Sequence, residues 1–145
     1  LALGAAGAQM GTRFLATKES DFAELWKKGI VKAGDRGTLV ARGFVGPARW
    51  VKTPASVKHM ENTLVKAPGV FIGVPDDGAS QAARELMDFE REGINATFAG
   101  DESKAMYAGG ECAQRIDDMP TVKELVDRMV GEAELIIKSL PQRYL

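Results

Sequence analysis

Apolar positions recur at helical spacing in several stretches of this chain. Ser20 is an N-cap residue with Asp21 and Glu24 behind it. Phe22, Leu25, Trp26 and Ile30 then predict a helix of about a dozen residues, closed at Gly34 or Asp35. Pro54, followed by Val57, Met60, Leu64 and Val65, predicts a second helix that ends before Pro68-Gly69. Ala82, Leu86 and Phe89 share one side of a third, from Ala79 to Glu92. The clearest helix follows Pro120-Thr121, where Val122, Leu125, Val126, Met129, Val130, Ala133, Ile136, Ile137 and Leu140 keep the period until Pro141.

Extended segments are fewer. Thr38 to Val45 has strand composition, is interrupted by Gly43 and is stopped by Gly46-Pro47. Val70 to Val74 reads as a short strand or as a loop packed on the core, and Pro75 to Gly78 as a turn. Gly93 to Cys112 is rich in glycine and alanine and predicts a long loop, a kind of connection that often carries function. At the start, Leu1 to Ala6 reads as the last turn or two of a helix closing near Gly4 or Gly7. Ala8 to Phe14 follows as a strand buried on both faces. A helix without a beginning and a strand without neighbours lead us to expect a piece of a larger α/β protein.

Composition narrows the function classes. The 145 residues are 45% apolar and 27% charged, which fits one soluble globular domain. A formal net charge of -1 with no run of like charge speaks against a nucleic-acid partner. No apolar run approaches the roughly 18 to 20 residues that span a membrane, and no basic leader precedes the small apolar start, so the expected location is cytoplasmic. Cys112 is the single cysteine and His59 the single histidine, which leaves no zinc site and no intrachain disulfide. His59 is expected as a partly exposed helix residue and Cys112 as an inert thiol. The acidic pairs Asp76-Asp77, Asp101-Glu102 and Asp117-Asp118 are expected in solvated loops or caps, Trp26 and Trp50 in core or interface packing, and Arg42 and Arg49 in salt bridges or at the surface.

The candidate chemistry lies at Gln9-Met10-Gly11-Thr12. At the C-terminal end of a barrel strand, glycine lets a phosphate approach backbone N–H groups, and threonine adds a hydroxyl. Gln9 offers a donor and an acceptor to a heterocycle edge. A Gly-Thr pair after a strand also serves purely structural turns.

Ala2 to Thr17 resembles the last-strand motif of the nitronate monooxygenase family, formerly called 2-nitropropane dioxygenases. Met106-Tyr107-Ala108-Gly109-Gly110-Glu111-Cys112-Ala113, followed by Ile116, Pro120 and the terminal helix, resembles the family's C-terminal end. Between them, Arg42 and Gly46-Pro47-Ala48-Arg49 stand in the order of the family's post-barrel segment. The resemblance implies the C-terminal portion of a (β/α)8 TIM barrel with a following helical segment. Residues 1–17 would hold the end of the last barrel helix and the last strand, residues 18–105 the post-strand helices and a small insertion, and residues 106–145 a substrate-side loop and closing helix. It further implies FMN as cofactor, held by Gln9, Met10, Gly11 and Thr12, with Tyr107 and Glu111 on the substrate-side loop. The family usually carries Gly-Gln where this chain has Gly110-Glu111, an amide replaced by a carboxylate.

The implied reaction is oxidation of alkyl nitronates or nitroalkanes by molecular oxygen. The alternatives are a flavin-dependent enoyl-acyl-carrier-protein reductase-like enzyme, or a non-catalytic fragment acting through a protein partner. The family's catalytic histidine and first flavin-binding loop match nothing in this chain. No catalytic residue is therefore assigned, and the chain alone is expected to be inactive. Its expected partners are a small-molecule substrate, the N-terminal part of the same barrel and a possible second copy.

Overall fold

The structure, a computed structural model, describes residues 4–44, 46–74 and 78–144, with side chains described through residue 140. At its centre is a hairpin, β1 (Thr38–Gly43) and β2 (Gly46–Val51), paired antiparallel from Thr38 opposite Val51 to Gly43 opposite Gly46. The expected stop at Gly46-Pro47 therefore opens the second strand instead. Pro47 is tolerated because it stands near the start of β2, before the 49–51 stretch that pairs with a third segment, so its missing N–H leaves that pairing intact. A third segment extends the sheet. Val51 N–H donates to the Tyr107 carbonyl at 3.0 Å, Gly109 N–H donates to the Arg49 carbonyl at 3.1 Å, and Ala108 bridges Trp50.

The helices are α1 (Thr12–Leu15), α2 (Glu24–Lys32), α3 (Pro54–Lys66), α4 (Gln81–Ala99) and α5 (Val122–Tyr144), of which α3 and α4 pack on β1. Thr53 and Ser56 cap α3 reciprocally, with Ser56 N–H to Thr53 Oγ1 at 3.0 Å and Thr53 N–H to Ser56 Oγ at 2.8 Å. Val70 to Ile72 resolves as part of a 3₁₀ turn, Pro68–Ile72, and not as a strand. The expected turn at Pro75 to Asp77 lies outside the described residues.

Two expectations fail in α4 and the loop behind it. The helix does not end at Glu92 but continues to Ala99, where Gly100 adopts a left-handed φ of 76°. Gly93 is thus a helix-interior residue. Its missing side chain lets the returning chain lie close: a Cβ there would sit 2.6 Å from Met106 Cβ. Met106 N–H donates to the Gly93 carbonyl at 3.0 Å, and Thr97 Oγ1 donates to the Met106 carbonyl at 3.0 Å. Much of the expected loop is therefore helix or sheet edge.

The start of the chain differs too. Residues 4–10 are exposed and unpaired, and Thr12–Leu15 is a helical turn, so Ala8 to Phe14 does not form a strand here. No neighbouring strand among the described residues satisfies its backbone groups. Gly4 has a positive φ of 91°, with no helix at residues 4–6, and Leu1 to Leu3 lie outside the described residues.

Packing forms two apolar clusters. Trp26, Ile30, Val51, Tyr107, Ala113 and Ile116 gather under α2, while Leu39, Ala41, Trp50, Ala55 and Met106 gather under α3. His59 is fully buried between the sheet and α4, contrary to the expected partial exposure, because its position on α3 faces β1. Its Nε2 lies 2.9 Å from the Arg42 carbonyl and 3.2 Å from Glu90 Oε1, and its ring stacks on Phe89 at 5.7 Å. Arg42 pairs with Glu90 at 2.7 Å, both side chains being buried. Trp50 Nε1 donates to the Arg42 carbonyl at 2.9 Å, which ties the hairpin into the same cluster.

The α5 helix begins with a capping box. Glu124 N–H donates to Thr121 Oγ1, and Thr121 N–H donates to Glu124 Oε2. It continues past Pro141 to Tyr144. Leu125 is buried, but Val130, Leu135, Ile136 and Ile137 are each more than half exposed. Among the described residues no helix is long and apolar enough to cross a membrane.

Candidate functional site

The candidate site begins where the irregular start meets α1. Gln9 and Met10 are exposed, and Gly11 opens the helical turn with its carbonyl accepting from Leu15 N–H at 3.0 Å. A Cβ at Gly11 would meet nothing within 4 Å, so this side of the backbone is open. Met10 and Gly11 line a shallow groove of 580 Å³ with Phe14, Thr17, Ser20 and Phe22.

Interactions far apart in sequence fix this turn. Gly110 N–H donates to Thr12 Oγ1 at 2.9 Å, joining the first motif to the second across 98 positions. Arg13 donates to the Ala16 carbonyl at 2.8 Å, to the Asp118 carbonyl at 2.8 Å and to Asp118 Oδ1 at 2.9 Å. Arg128 holds the other oxygen of Asp118 at 2.8 Å. The Arg128 hydrogen bond, and after it that of Arg13, keeps the Asp118 carboxyl below its ordinary range. Asp118 lies in a loop, as expected, and there its carboxylate bridges Arg13 and Arg128 as an ion-paired clamp.

A flavin phosphate requires several converging donors. The first N–H groups of α1 lack intrahelical acceptors, Gly11 leaves room above them, and the Thr12 hydroxyl keeps its hydrogen to donate while accepting from Gly110. The residues present fit one side of such a cradle.

The second motif divides. Tyr107 is 6% exposed and packs on Trp26 with ring centroids 6.1 Å apart. Trp26 Nε1 donates to the Ala108 carbonyl at 2.7 Å and fixes the backbone behind it. Burial, with the Glu102 charge second, pushes the Tyr107 hydroxyl pKa up. Glu111 is exposed in a 3₁₀ turn, Glu111–Arg115, and its Oε2 lies 3.6 Å from Arg49 Nη2. Arg42 and Arg49 therefore both pair with acids. Cys112 is exposed, and a Cβ on Gly110 would lie 3.5 Å from its Sγ.

Sequence reasoning missed the clamp of Arg13, Asp118 and Arg128. The only available signal was an arginine directly after Gly-Thr. It also passed over Lys28, Lys32 and Lys52, which meet beside Tyr107 in a groove of 220 Å³.

Comparison with known proteins agrees with this architecture. Two curated dehydrogenases named for (3aS,4S,5R,7aS)-5-hydroxy-7a-methyl-1-oxo-octahydro-1H-indene-4-carboxyl-CoA align over 92% of this chain. The Rhodococcus jostii protein is 29% identical and the Mycobacterium tuberculosis protein 25% identical. The alignments cover 45% and 44% of those proteins, so the chain spans less than half the length of the curated relatives it matches. Among solved structures, FabK from Thermotoga maritima superposes with a TM-score of 0.74 at 28% identity, covering 98% of this chain and 41% of that one. A point mutant of the same FabK gives a TM-score of 0.67 at 30% identity, covering 98% and 39%. The mixed helix and strand fold matches a fragment of a TIM-barrel enzyme. The family described as nitronate monooxygenase matches residues 1–132, and the chain belongs to that family of flavin-dependent oxidoreductases.

Proposed function

We propose that this chain is the C-terminal part of an FMN-dependent oxidoreductase that oxidises alkyl nitronates with molecular oxygen. In this reading Gln9, Met10, Gly11 and Thr12 hold the flavin, and Tyr107 and Glu111 belong to the substrate-side loop. The observation that carries it is the 2.9 Å bond from Gly110 N–H to Thr12 Oγ1, which supports the two motifs acting as one site. Bound FMN supplies the redox chemistry, and the protein supplies placement. Gly11 admits the phosphate to the backbone, the Thr12 hydroxyl donates to it, and the Gln9 amide orients the heterocycle. The base that deprotonates the substrate belongs to an earlier barrel strand, so the 145 residues alone are inactive. The exposed apolar face of α5 packs against the N-terminal part of the same barrel. The assembled protein is cytoplasmic and acts on a small molecule.

A second reading is a flavin-dependent enoyl-acyl-carrier-protein reductase-like enzyme. The likeness to FabK and the CoA-linked substrate in the names of the curated relatives favour it. One preparation tests both. The intact protein carrying this chain is purified, its visible spectrum recorded and its released cofactor weighed by mass spectrometry. Oxygen uptake with an alkyl nitronate supports the first reading, and reduction of an enoyl thioester by a hydride donor supports the second. Absence of flavin sinks both and favours a non-catalytic fragment acting through a protein partner.

A further inference from the structure

We propose that Arg13, Asp118 and Arg128 are positioning residues that carry the seating of α5 to the Gly11–Thr12 turn, so that the cofactor phosphate is held tightly only when α5 is in place. The proposal rests on the reading of Gly11 and Thr12 as phosphate-binding residues, and adds three side chains that act on them from a distance. Arg13 follows Thr12 directly. Its Nη2 donates to the Ala16 carbonyl, which closes α1, and to the Asp118 carbonyl, each at 2.8 Å. Its Nη1 donates to Asp118 Oδ1 at 2.9 Å, across 105 positions of sequence. From the second turn of α5, Arg128 Nη1 donates to Asp118 Oδ2 at 2.8 Å. One carboxylate thus joins the residue after Thr12 to the terminal helix. The Arg13 Nε is buried without a hydrogen-bond partner. Buried N–H groups are usually paired, so this guanidinium is oriented by its reach to Asp118 and not by the best local satisfaction of its donors.

The α5 end of this relay is the one that further packing can set. Its first turn is tied to the segment after α1, where Lys18 N–H donates to the Pro120 carbonyl at 3.0 Å and Val122 N–H donates to the Glu19 carboxylate at 2.9 and 3.0 Å. Beyond the buried Leu125, the side chains of Val126, Val130, Ile136 and Ile137 leave an apolar face exposed. Arg128 stands between Val126 and Val130, so whatever covers that face also fixes the angle from which its guanidinium reaches Asp118. On the other side of the turn, residues 4–10 make no hydrogen bond among the described residues. The turn therefore takes its orientation from Gly110 N–H on Thr12 Oγ1 and from Arg13. The two guanidiniums, Arg128 before Arg13, keep Asp118 ionised to lower pH than an ordinary carboxylate. The other charges near it are Asp117 in the same loop and, on α5, Glu124, held by Thr121 and Lys18, and Glu132 near Arg128.

The test uses the intact protein carrying this chain, with FMN affinity read by fluorescence titration and folding by the melting temperature of the apoprotein. Arg13→Gln and Asp118→Asn are expected to weaken FMN binding about tenfold, and Arg128→Gln, at an exposed position, about threefold. Arg128→Gln carries the test where Arg13→Gln fails to fold. Lys123→Gln, which breaks the exposed pair of that residue with Asp127 on the same helix, is expected to leave affinity unchanged. The loss in Asp118→Asn is expected to shrink as pH falls through and below the ordinary carboxylate range, because protonation of wild-type Asp118 removes the same bridge. Unchanged FMN affinity in the folded variants, equal losses in Arg128→Gln and Lys123→Gln, or an Asp118→Asn loss that stays constant with pH would overturn the proposal. A wild type without flavin would instead fail the phosphate reading of Gly11 and Thr12, and the proposal with it, a result distinct from a flavin-loaded wild type with indifferent variants.

Discussion

Replacing Glu90 by Gln probes the buried cluster that holds the hairpin to α3 and α4. The Arg42 and Glu90 side chains are 1% and 0% exposed and lie 2.7 Å apart. Charge centres about 4 Å apart attract by about 4 kcal/mol at an effective dielectric of about 20. Desolvating the two ions costs several kcal/mol each, so the intact pair adds little net stability. Removing one charge is different, because the guanidinium stays buried without its carboxylate. Glu90 Oε2 and His59 Nδ1 already lack hydrogen-bond partners, which leaves the cluster little capacity to compensate. We expect Glu90→Gln to cost about 3 kcal/mol. Urea denaturation of the full chain reads this as a lowered midpoint at constant m value. Arg42→Met combined with Glu90→Leu is expected to recover stability to within about 1 kcal/mol of wild type. A loss below about 1 kcal/mol for Glu90→Gln, or a double variant weaker than the single, refutes this reasoning.

Other consequences follow from particular contacts. Gly93→Ala gains about 1 kcal/mol of helix propensity but drives a Cβ to 2.6 Å from Met106 Cβ, so a net destabilisation of about 1 kcal/mol is expected by thermal melting. An unchanged or raised melting temperature contradicts the close packing of the 101–107 segment. Leu125→Ala is expected to cost about 3 kcal/mol, and the exposed Ile136→Ala less than about 0.5 kcal/mol, in the same chain. Equal costs would show that the outer face of α5 is already covered. The lowered carboxyl of Asp118 contributes stability that is present above the unfolded value and lost as pH falls through the folded one. The stability gap between wild type and Asp118→Asn should therefore narrow as pH falls through and below the ordinary carboxylate range, and a gap that stays constant contradicts the clamp.

Local physics made some elements legible and hid others. The helices α2 to α5 were readable because apolar spacing and the Pro54 and Pro120 signals act within one element. Gly93 misled because its role is a contact with Met106, thirteen residues away, and not the end of a helix. Pro47 misled because only the finished hairpin reveals that its place near the start of β2 needs no N–H donor. His59 reads as an ordinary helix residue until β1 and α4 close over it. Ala8 to Phe14 has strand composition, but composition cannot provide the neighbours that strand pairing needs. The Gln9–Thr12 motif was legible through its resemblance to a family. Its bond to Gly110, and the meeting of Lys28, Lys32 and Lys52 beside Tyr107, required the fold.

Gly11→Val offers the sharpest test of the proposed flavin site. A Cβ at Gly11 meets no atom within 4 Å and its φ is −96°, so a branched side chain leaves the chain's own packing undisturbed. The measurement is FMN affinity of the intact protein, wild type against Gly11→Val, by flavin absorbance and fluorescence titration. The predicted result is a flavin-loaded wild type and a variant with an unchanged melting temperature of the apoprotein, but FMN binding weakened by about tenfold or more through lost phosphate contacts. Equal FMN affinity in the two proteins, or no flavin in either, would contradict the assignment of Gly11 and Thr12 to the cofactor phosphate.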